Sequence, residues 1–416
     1  MSKVNMMSAK DKKKGSLVPR LRFPEFRDEW TYDNLGDFLE EYSEKVNADT
    51  TLPIYSSTRD GLKAQKDYFN GHELINSGEY GVVPVNCFVY RHMSDDNIFI
   101  FNINLIGEAI AVSKEYPVFK AKNMSPLFLY YILNYGLDFK RFAAMQKKGG
   151  TRTRLYFSTL CSWKTLLPTK PEQQRIADCL SSLDERIAAE TNKLDALKAH
   201  KKGLLKQLFP AEGETLPQLR FPEFQDAGAW ETTTIGKVCK SYSGGTPNTN
   251  CKYFYGGNIP FIRSAEIGKN STELFLSESG LRYSSAKIVK KGVILIALYG
   301  ANSGEVAINP IEGAINQAIL CLESDQNKVF LFYNILSMQQ RIVLKYIQGG
   351  QGNMSAEIIK SILLHIPNAS EQQRIADCLS SLDELITAQS QKIELLKDHK
   401  KGLMQQLFPR IDEVRA

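Results

Sequence analysis

Two glycine-rich polar loops carry the side chains best suited to reading nucleic acid. KKGGTRTR places four cations, Lys147, Lys148, Arg152 and Arg154, on one flexible turn. QGGQGNMS places Gln351 and Asn353 on a turn in the matching part of the other half. Arginine pairs bidentately with guanine, and Gln or Asn with adenine. Different readers at one equivalent loop are what two different base sequences would require. An ordinary polar surface loop is the competing reading, and recurrence in both halves weighs against it. A third feature is SGGTPNT at Ser243–Thr249, followed by YFYGGNIPFIR at Tyr253–Arg263. Adjacent glycines before Thr-Pro can expose backbone N–H groups to a phosphate oxygen. The Gly-Gly turn before Asn-Ile-Pro is expected to bring Asn258 and Arg263 near the same surface, and Thr246 and Asn248 are further candidates to approach DNA. Two plain loops remain the alternative there.

Residues for bond-making chemistry are scarce. The five histidines are His72, His92, His200, His365 and His399, and none falls in HExxH. His200 and His399 occupy matching places on predicted helices, where a solvated or interface role is expected. No GxxxxGK[ST] loop, dinucleotide fingerprint, zinc spacing, GxSxG elbow or Asn-Pro-Pro-aromatic motif occurs. Carboxylates are frequent without a distinctive pair, so a nuclease site of scattered acids stays open.

The elements that must position these loops are written twice. EQQRIADCLSSLDE at Glu172–Glu185 returns letter for letter at Glu371–Glu384. HKKGL returns at His399–Leu403, QLFP at Gln406–Pro409, and LRFPEF at Leu21–Phe26 returns at Leu219–Phe224. Trp30 and Trp230 follow the two LRFPEF copies. Apolar residues recur at Ile176, Leu180, Leu183, Ile187, Leu194, Leu197, Leu204 and Leu208, with Glu190 and Lys201 interrupting. The second copy gives Ile375, Leu379, Leu382, Ile386, Ile393, Leu396, Leu403 and Leu407, interrupted by Gln389 and Lys400. This 3-4 alternation over about five heptads is a coiled-coil seam. Glu172–Leu208 makes ~55 Å of helix. Capping boxes are expected at Thr169/Glu172 and Ser370/Gln373, and Pro210 and Pro409 should stop the helices. Two copies of one seam in one chain can pair with each other, antiparallel if the halves are related by a two-fold axis; a homodimeric coiled coil is the alternative.

Between the shared blocks lie two dissimilar inserts of mixed α/β character. In the second, Lys287–Gly300 reads as a turn and a buried strand, EVAI and Ile315–Leu322 as strands, and Val329–Ile347 as a helix. In the first, YGVVPVNCFVY and DNIFIFNI read as strands and SPLFLYYILNYGLDFKRFAAM as one helix. GEAIAV (Gly107–Val112) is matched with GEVAI (Gly304–Ile308).

Composition is compatible with this without deciding it. The chain has 416 residues, 43% hydrophobic, with net charge +6 and pI near 8.7. Such a mild basic excess is compatible with a polyanion partner. Seven cysteines without CxxC pairs read as reduced thiols in a cytoplasmic protein, and Cys179 and Cys378 as small buried residues. No apolar run reaches membrane-spanning length, and the N-terminal KDKKK stretch reads as a solvated tail.

The arrangement resembles the specificity subunit of type I restriction-modification systems. The resemblance covers residues 20–410 and rests on the paired EQQRIADCLSSLDE…HKKGL helices, the two LRFPEF…W segments, and SGGTP…GGNIPFIR with NSGEVAIN…GAINQA in the second insert. It implies an α+β fold: two mixed α/β target-recognition domains joined by two long helices packed as an antiparallel coiled coil, with an internal pseudo-two-fold repeat. The expected division is a disordered basic tail at 1–20, recognition domains at 21–169 and 211–369, a central helix at 170–210 and a C-terminal helix at 370–410. Each domain would read one half of a bipartite duplex DNA site, and helix length would set the gap. Partners implied are two methyltransferase subunits using S-adenosylmethionine, and restriction subunits using ATP and Mg. The chain itself would bind no cofactor or metal and perform no catalysis. The first insert departs from the SGGTP pattern, with IYSSTRDG (Ile54–Gly61) in its place. Identical residues off the seam are candidate methyltransferase-docking positions: Gln173, Gln174, Arg175, Asp178 and Ser181, with mates Gln372, Gln373, Arg374, Asp377 and Ser380. Recent duplication would also preserve them. A stand-alone two-site DNA-binding regulator and a fused methyltransferase or nuclease remain as other classes.

Overall fold

The computed structural model describes residues 18–69, 78–300, 302–346 and 354–408. Most of the basic tail, His72, Gln351, Asn353 and Pro409 lie outside the described residues. The chain divides into two compact units. One combines the residues up to Glu190 with those from Lys392 onward, and the other is Thr191–Gln391.

In the first unit a four-stranded antiparallel sheet runs in the order Leu39–Tyr42, Val118–Ala121, Phe88–Tyr90, Phe101–Ile103. Aromatic rings fill its core. Phe88 stacks on Phe119 with centroids 5.1 Å apart, and Tyr90 lies 4.6 Å from Phe101. Phe128 and Phe139 cover them from helices Pro126–Tyr135 and Leu137–Met145. Fully burying one such side chain contributes ~1.5–3 kcal/mol. The helix expected as one piece is two, because Gly136 is extended (ψ 125°). A Cβ there would stand 2.4 Å from the Ile132 carbonyl oxygen, so the break requires glycine. A smaller antiparallel sheet pairs Ile110–Ser113 with Tyr80–Val83 and that strand with Lys45–Val46, while Ile54 bridges parallel to Ala111. Thr31–Asn34 pairs with Lys164–Leu167 beside the buried Trp30.

The second unit repeats this plan with different letters. Its main sheet runs Lys240–Ser243, Ile319–Glu323, Ile294–Ala297, Val306–Ile308. Its core is aliphatic, built on Ile294, Ile296, Leu320, Leu322 and Leu331. Gly313–Ile315 pairs antiparallel with Lys287–Val289 and parallel with Tyr255–Ile262. Glu231–Thr234 pairs with Leu363–Ile366 beside Trp230, and helix Lys328–Tyr346 packs on the sheet.

The pairing corrects two sequence matches and one strand. GEAIAV pairs with Tyr80–Val83, whereas GEVAI pairs with Ile294–Ala297, so GEAI corresponds to EGAI at Glu312–Ile315. Ile54, parallel to that strand, corresponds to Phe261 and Ile262, so IYSSTRDG stands where the IPFIR segment stands rather than where SGGTP does. Ile315–Leu322 is two strands, not one. Matching by letter similarity failed because the inserts share backbone pairing, not residues.

The two long helices are Lys170–Gln207 and Ala369–Leu407. Within the first unit, Asp184 meets Lys400 and Glu190 meets Lys392, so the segments run antiparallel. Within the second, Lys201 meets Asp383 while Leu208 packs near Ile375 and Leu379, again antiparallel. Ile176, Leu180, Ile375, Leu379 and Leu382 are buried, while Leu183, Ile187, Leu194 and Leu197 are half-buried, as in a seam with only two strands. Cys179 and Cys378 are half-buried rather than buried. The capping expectation also changes. The C-terminal helix begins at Ala369, and Asn368 Oδ1 accepts from the Glu371 amide at 2.9 Å, so Ser370 lies inside the first turn.

Candidate DNA interface and the frame that positions it

In the first unit three loops converge. The closing loop returns as the short strand Thr153–Arg154, paired with Met93–Ser94. The Leu155 amide donates to the His92 carbonyl at 2.8 Å, and the Tyr90 hydroxyl donates to the Leu155 carbonyl at 2.9 Å. Gly149 and Gly150 sit at φ 65° and 74°, which favours glycine and turns the chain with Lys147 and Lys148 exposed. Arg152 donates to Asp95 at 2.8 Å, and Arg154 is exposed beside it. Arg59, from the strand pair Tyr55–Thr58 and Gly61–Ala64, donates to Asp96 at 2.8 Å. The Ser94 hydroxyl foremost, then the Ile98 amide and Arg59, holds the Asp96 carboxyl below its ordinary range. Exposed ion pairs add little stability. What they supply is aim: the two acids orient two guanidinium groups on one outward surface.

The second unit holds its equivalent loops differently. The Met354 amide donates to the Leu298 carbonyl at 2.9 Å, matching Leu155 and His92, so the two closing loops end in the same way. Thr246 is exposed and donates to Gln317 at 2.7 Å. Asn248 is exposed and accepts from the Asn250 amide, and Asn258 is exposed in the bulged part of strand Tyr255–Ile262. Asn258 and Arg263 stand five positions apart, and the hydrogen bonds of Arg263 run to Glu266 and Glu273 rather than to Asn258. Arg263 is committed to structure: it binds Glu266 through Nε and Nη2, both at 3.0 Å, and Glu273 at 2.6 Å. Glu266 in turn accepts from the Arg263 and Glu273 amides.

The phosphate-loop expectation for SGGTP is also corrected. The Gly244 amide donates to the Asn316 carbonyl at 3.2 Å, and Gly245 is buried. A Cβ on Gly244 would lie 1.8 Å from the Ile315 carbonyl oxygen, and one on Gly245 1.9 Å from Ser285 Oγ. These glycines permit close chain packing.

The frame beneath the loops is the same twice. Arg22 grips Glu172 with two bonds of 2.7 Å, and the Trp30 indole adds a third at 3.2 Å. Arg220, Glu371 and Trp230 repeat this at 2.7, 2.7 and 3.2 Å. Both glutamates are 1% exposed. The Glu172 hydrogen bond raises the Arg22 pKa, as Glu371 raises that of Arg220. The Leu21 amide donates to the Gln406 carbonyl, and Leu219 to Gln207. Thus LRFPEF clasps the start of one long helix and the end of the other, a role its sequence did not reveal.

The proposed docking positions separate into two groups. Gln173 and Gln372 are 3% exposed and are used internally. Gln173 accepts from the Ser125 amide and donates to the Pro168 carbonyl; Gln372 does the same with Asn327 and Pro367. Their identity follows from seating each domain, which corrects their place on a docking surface. Gln174 donates to Asp178, and Gln373 to Asp377, at 2.7 Å on exposed faces. Arg175 lies over Phe23 beside Glu25, and Arg374 over Phe221 beside Glu223.

The remaining residues missed from sequence are Arg59, Asp95, Asp96 and Gln317 at the loops, and Tyr131, Asp184, Tyr333 and Asp383 in the frame. The signals for the frame set were the lysines interrupting the seam, the recurrence of Asp184 as Asp383 in the repeated block, and the short match of FLYY with FLFY. Among the described residues no group of three or more His, Cys, Asp or Glu is placed to hold a metal, and no helix is long and apolar enough to cross a membrane.

Two divergent loop sets on one duplicated frame define a protein that selects targets. The type I restriction modification DNA specificity domain matches residues 94–199 and 228–398, and the chain belongs to that family. It is 24% identical over 417 residues to the type I restriction enzyme MjaVIII specificity subunit of Methanocaldococcus jannaschii, covering 93% of each. It is 25% identical over 169 residues to the EcoR124I/EcoR124II specificity subunit of Escherichia coli, covering 38% of this chain and 42% of that one. In fold it is similar to the type I restriction-modification S subunit from M. genitalium, with TM-score 0.56 and 14% identity over 94% of this chain and 99% of that one.

Proposed function

We propose that this chain directs a type I restriction-modification complex by reading a bipartite duplex DNA site, one half-site per recognition domain. The supporting observation is the repetition of the frame, contact by contact, beneath loops of different chemistry. Lys147, Lys148, Arg152 and Arg154, joined by Arg59, face the first half-site. Thr246, Asn248 and Asn258 face the second, for which Gln351 and Asn353 are further candidate readers. The exposed repeat residues Gln174, Arg175 and Asp178, with Gln373, Arg374 and Asp377, dock two methyltransferase subunits. S-adenosylmethionine, ATP and Mg belong to those partners and to restriction subunits, in the cytoplasm. The chain contributes selection rather than bond-making.

Single-molecule sequencing of methylated adenines in cells carrying the complex tests this. A methylated motif of two defined half-sites around an unspecified gap is expected. Seven residues inserted into both seams add ~10 Å of helix, about three base pairs of B-DNA, while preserving the apolar stripe. The gap should lengthen and both half-sites persist. An unchanged gap would refute the ruler. Reversing charge at Arg175 and Arg374 together should lower methyltransferase co-purification from a folded chain, and undiminished assembly would show the repeats owe their identity to duplication.

A further inference from the structure

The lysines that interrupt the apolar seam belong to a three-element joint present in each unit. In the first, Lys400 is 8% exposed, pairs with Asp184, and lies 5.1 and 5.0 Å from the ring centroids of Tyr131 and Tyr135. The Tyr131 hydroxyl donates to Asp184 at 2.7 Å. In the second, Lys201 donates to Asp383 at 2.5 and 2.7 Å and lies 5.3 Å from the Tyr333 centroid, whose hydroxyl donates to Asp383 at 2.6 Å. Burial foremost, and the aspartate next, pushes both tyrosine hydroxyls above their ordinary pKa. Each joint takes its Tyr from a recognition-domain helix, its Asp from the first half of one long helix and its Lys from the last two turns of the other. Tyr131 and Tyr333 fall in the short match FLYY and FLFY within otherwise dissimilar inserts.

An apolar seam repeats about every seven residues, so sliding by one repeat presents it again. A polar pair at a seam position has no such second partner and specifies register. We infer that the two Tyr–Asp–Lys joints fix helix register and the seat of each recognition domain, and so determine how strictly the DNA gap is measured. The residues are positioning residues, and the gap part of the inference rests on the bipartite reading above.

Lys400→Met tests the first joint in the assembled complex. Methionine fills the stem volume, and apolar replacement of a buried charge is often tolerated. Register is read without DNA by carbodiimide cross-linking and mass spectrometry of Glu190 with Lys392, which are paired in this unit. Gap tolerance is read by methylation of sites whose gap is up to about three base pairs longer or shorter, the length of one seam repeat. The joint predicts that the Glu190–Lys392 link falls, that Glu190 links to other lysines, and that off-length sites become methylated. Lys400→Arg, which keeps the charge, should restore both. If Lys400→Met fails to fold, Tyr131→Phe removes only the hydroxyl and is read in the same way. An unchanged cross-link together with a single gap length would overturn the inference. A changed cross-link with an unchanged gap would overturn its DNA half. A wild-type complex that methylates no bipartite site would sink the functional reading, while the cross-link still decides the joint.

Discussion

The two recognition domains differ most where they face outward and least where they meet the long helices. On the first, two Arg–Asp pairs, Arg59 with Asp96 and Arg152 with Asp95, tie three loops together. On the second, Arg263 is bound to Glu266 and Glu273, and the exposed groups among the described residues include Thr246 with Gln317 and asparagine amides. Even the cores differ, aromatic in the first and aliphatic in the second. Cores accept apolar exchange when volume and pattern are kept. A buried glutamate gripped by arginine accepts none, because loss of either partner leaves a charge without compensation. Frame residues therefore repeat by identity, and core residues only by type.

The largest effect that can sharpen this contrast is at the clasp. Glu172→Ala should cost about 3–5 kcal/mol, as expected for breaking a buried ion pair. Calorimetry should show the first unit melting early, with Glu371→Ala acting on the second. A cost no larger than that of an exposed pair would remove the clasp from the frame. Next comes Gly244→Ala, which drives a Cβ against the Ile315 backbone and should cost at least ~1–3 kcal/mol. Unchanged stability with weakened DNA binding would instead restore a phosphate-binding role.

Arg152→Ala should cost roughly 1–3 kcal/mol of binding and relax one position of the first half-site, if it reads guanine. If it holds a phosphate, affinity should fall evenly across sequences and the salt slope by about one. A site library assayed at two salt concentrations separates these. Arg263→Ala should lower the melting temperature of the second unit and leave base preference intact, and a change of preference without loss of stability would reverse its assignment.

The smallest expected effect is pH dependence confined to one unit. Burial foremost, and Arg341 next, lowers the His365 pKa below its ordinary 6.5, whereas Leu166 occupies the equivalent position in the first unit. The unfolded chain therefore takes up this proton before the folded one does. Stability from neutral His365 is present above about pH 6.5 and declines as pH falls through the folded value. Melts of the second unit from neutral to about pH 5 should show a decline that His365→Leu flattens, and a decline unaffected by that substitution would assign it to other groups.

Much of the plan was legible in the chain because it is periodic or repeated. The seam declares two long helices by spacing alone, and letter-for-letter recurrence declares two units on one frame. What spacing could not express was pairing between distant strands. GEAIAV and GEVAI look alike yet occupy different strands, and SGGTP looks like a phosphate loop until Ile315 is placed against it. Nor could composition separate an arginine held by one exposed acid from one held by two carboxylates. Arg152 and Arg263 differ in the carboxylates that surround them, and those come from loops and turns that only the folded chain assembles. The sequence by itself determined that there are two units and two long helices. Which side chains remain available to a ligand was decided by tertiary structure, because availability is what is left after internal hydrogen bonds and close packing have been satisfied.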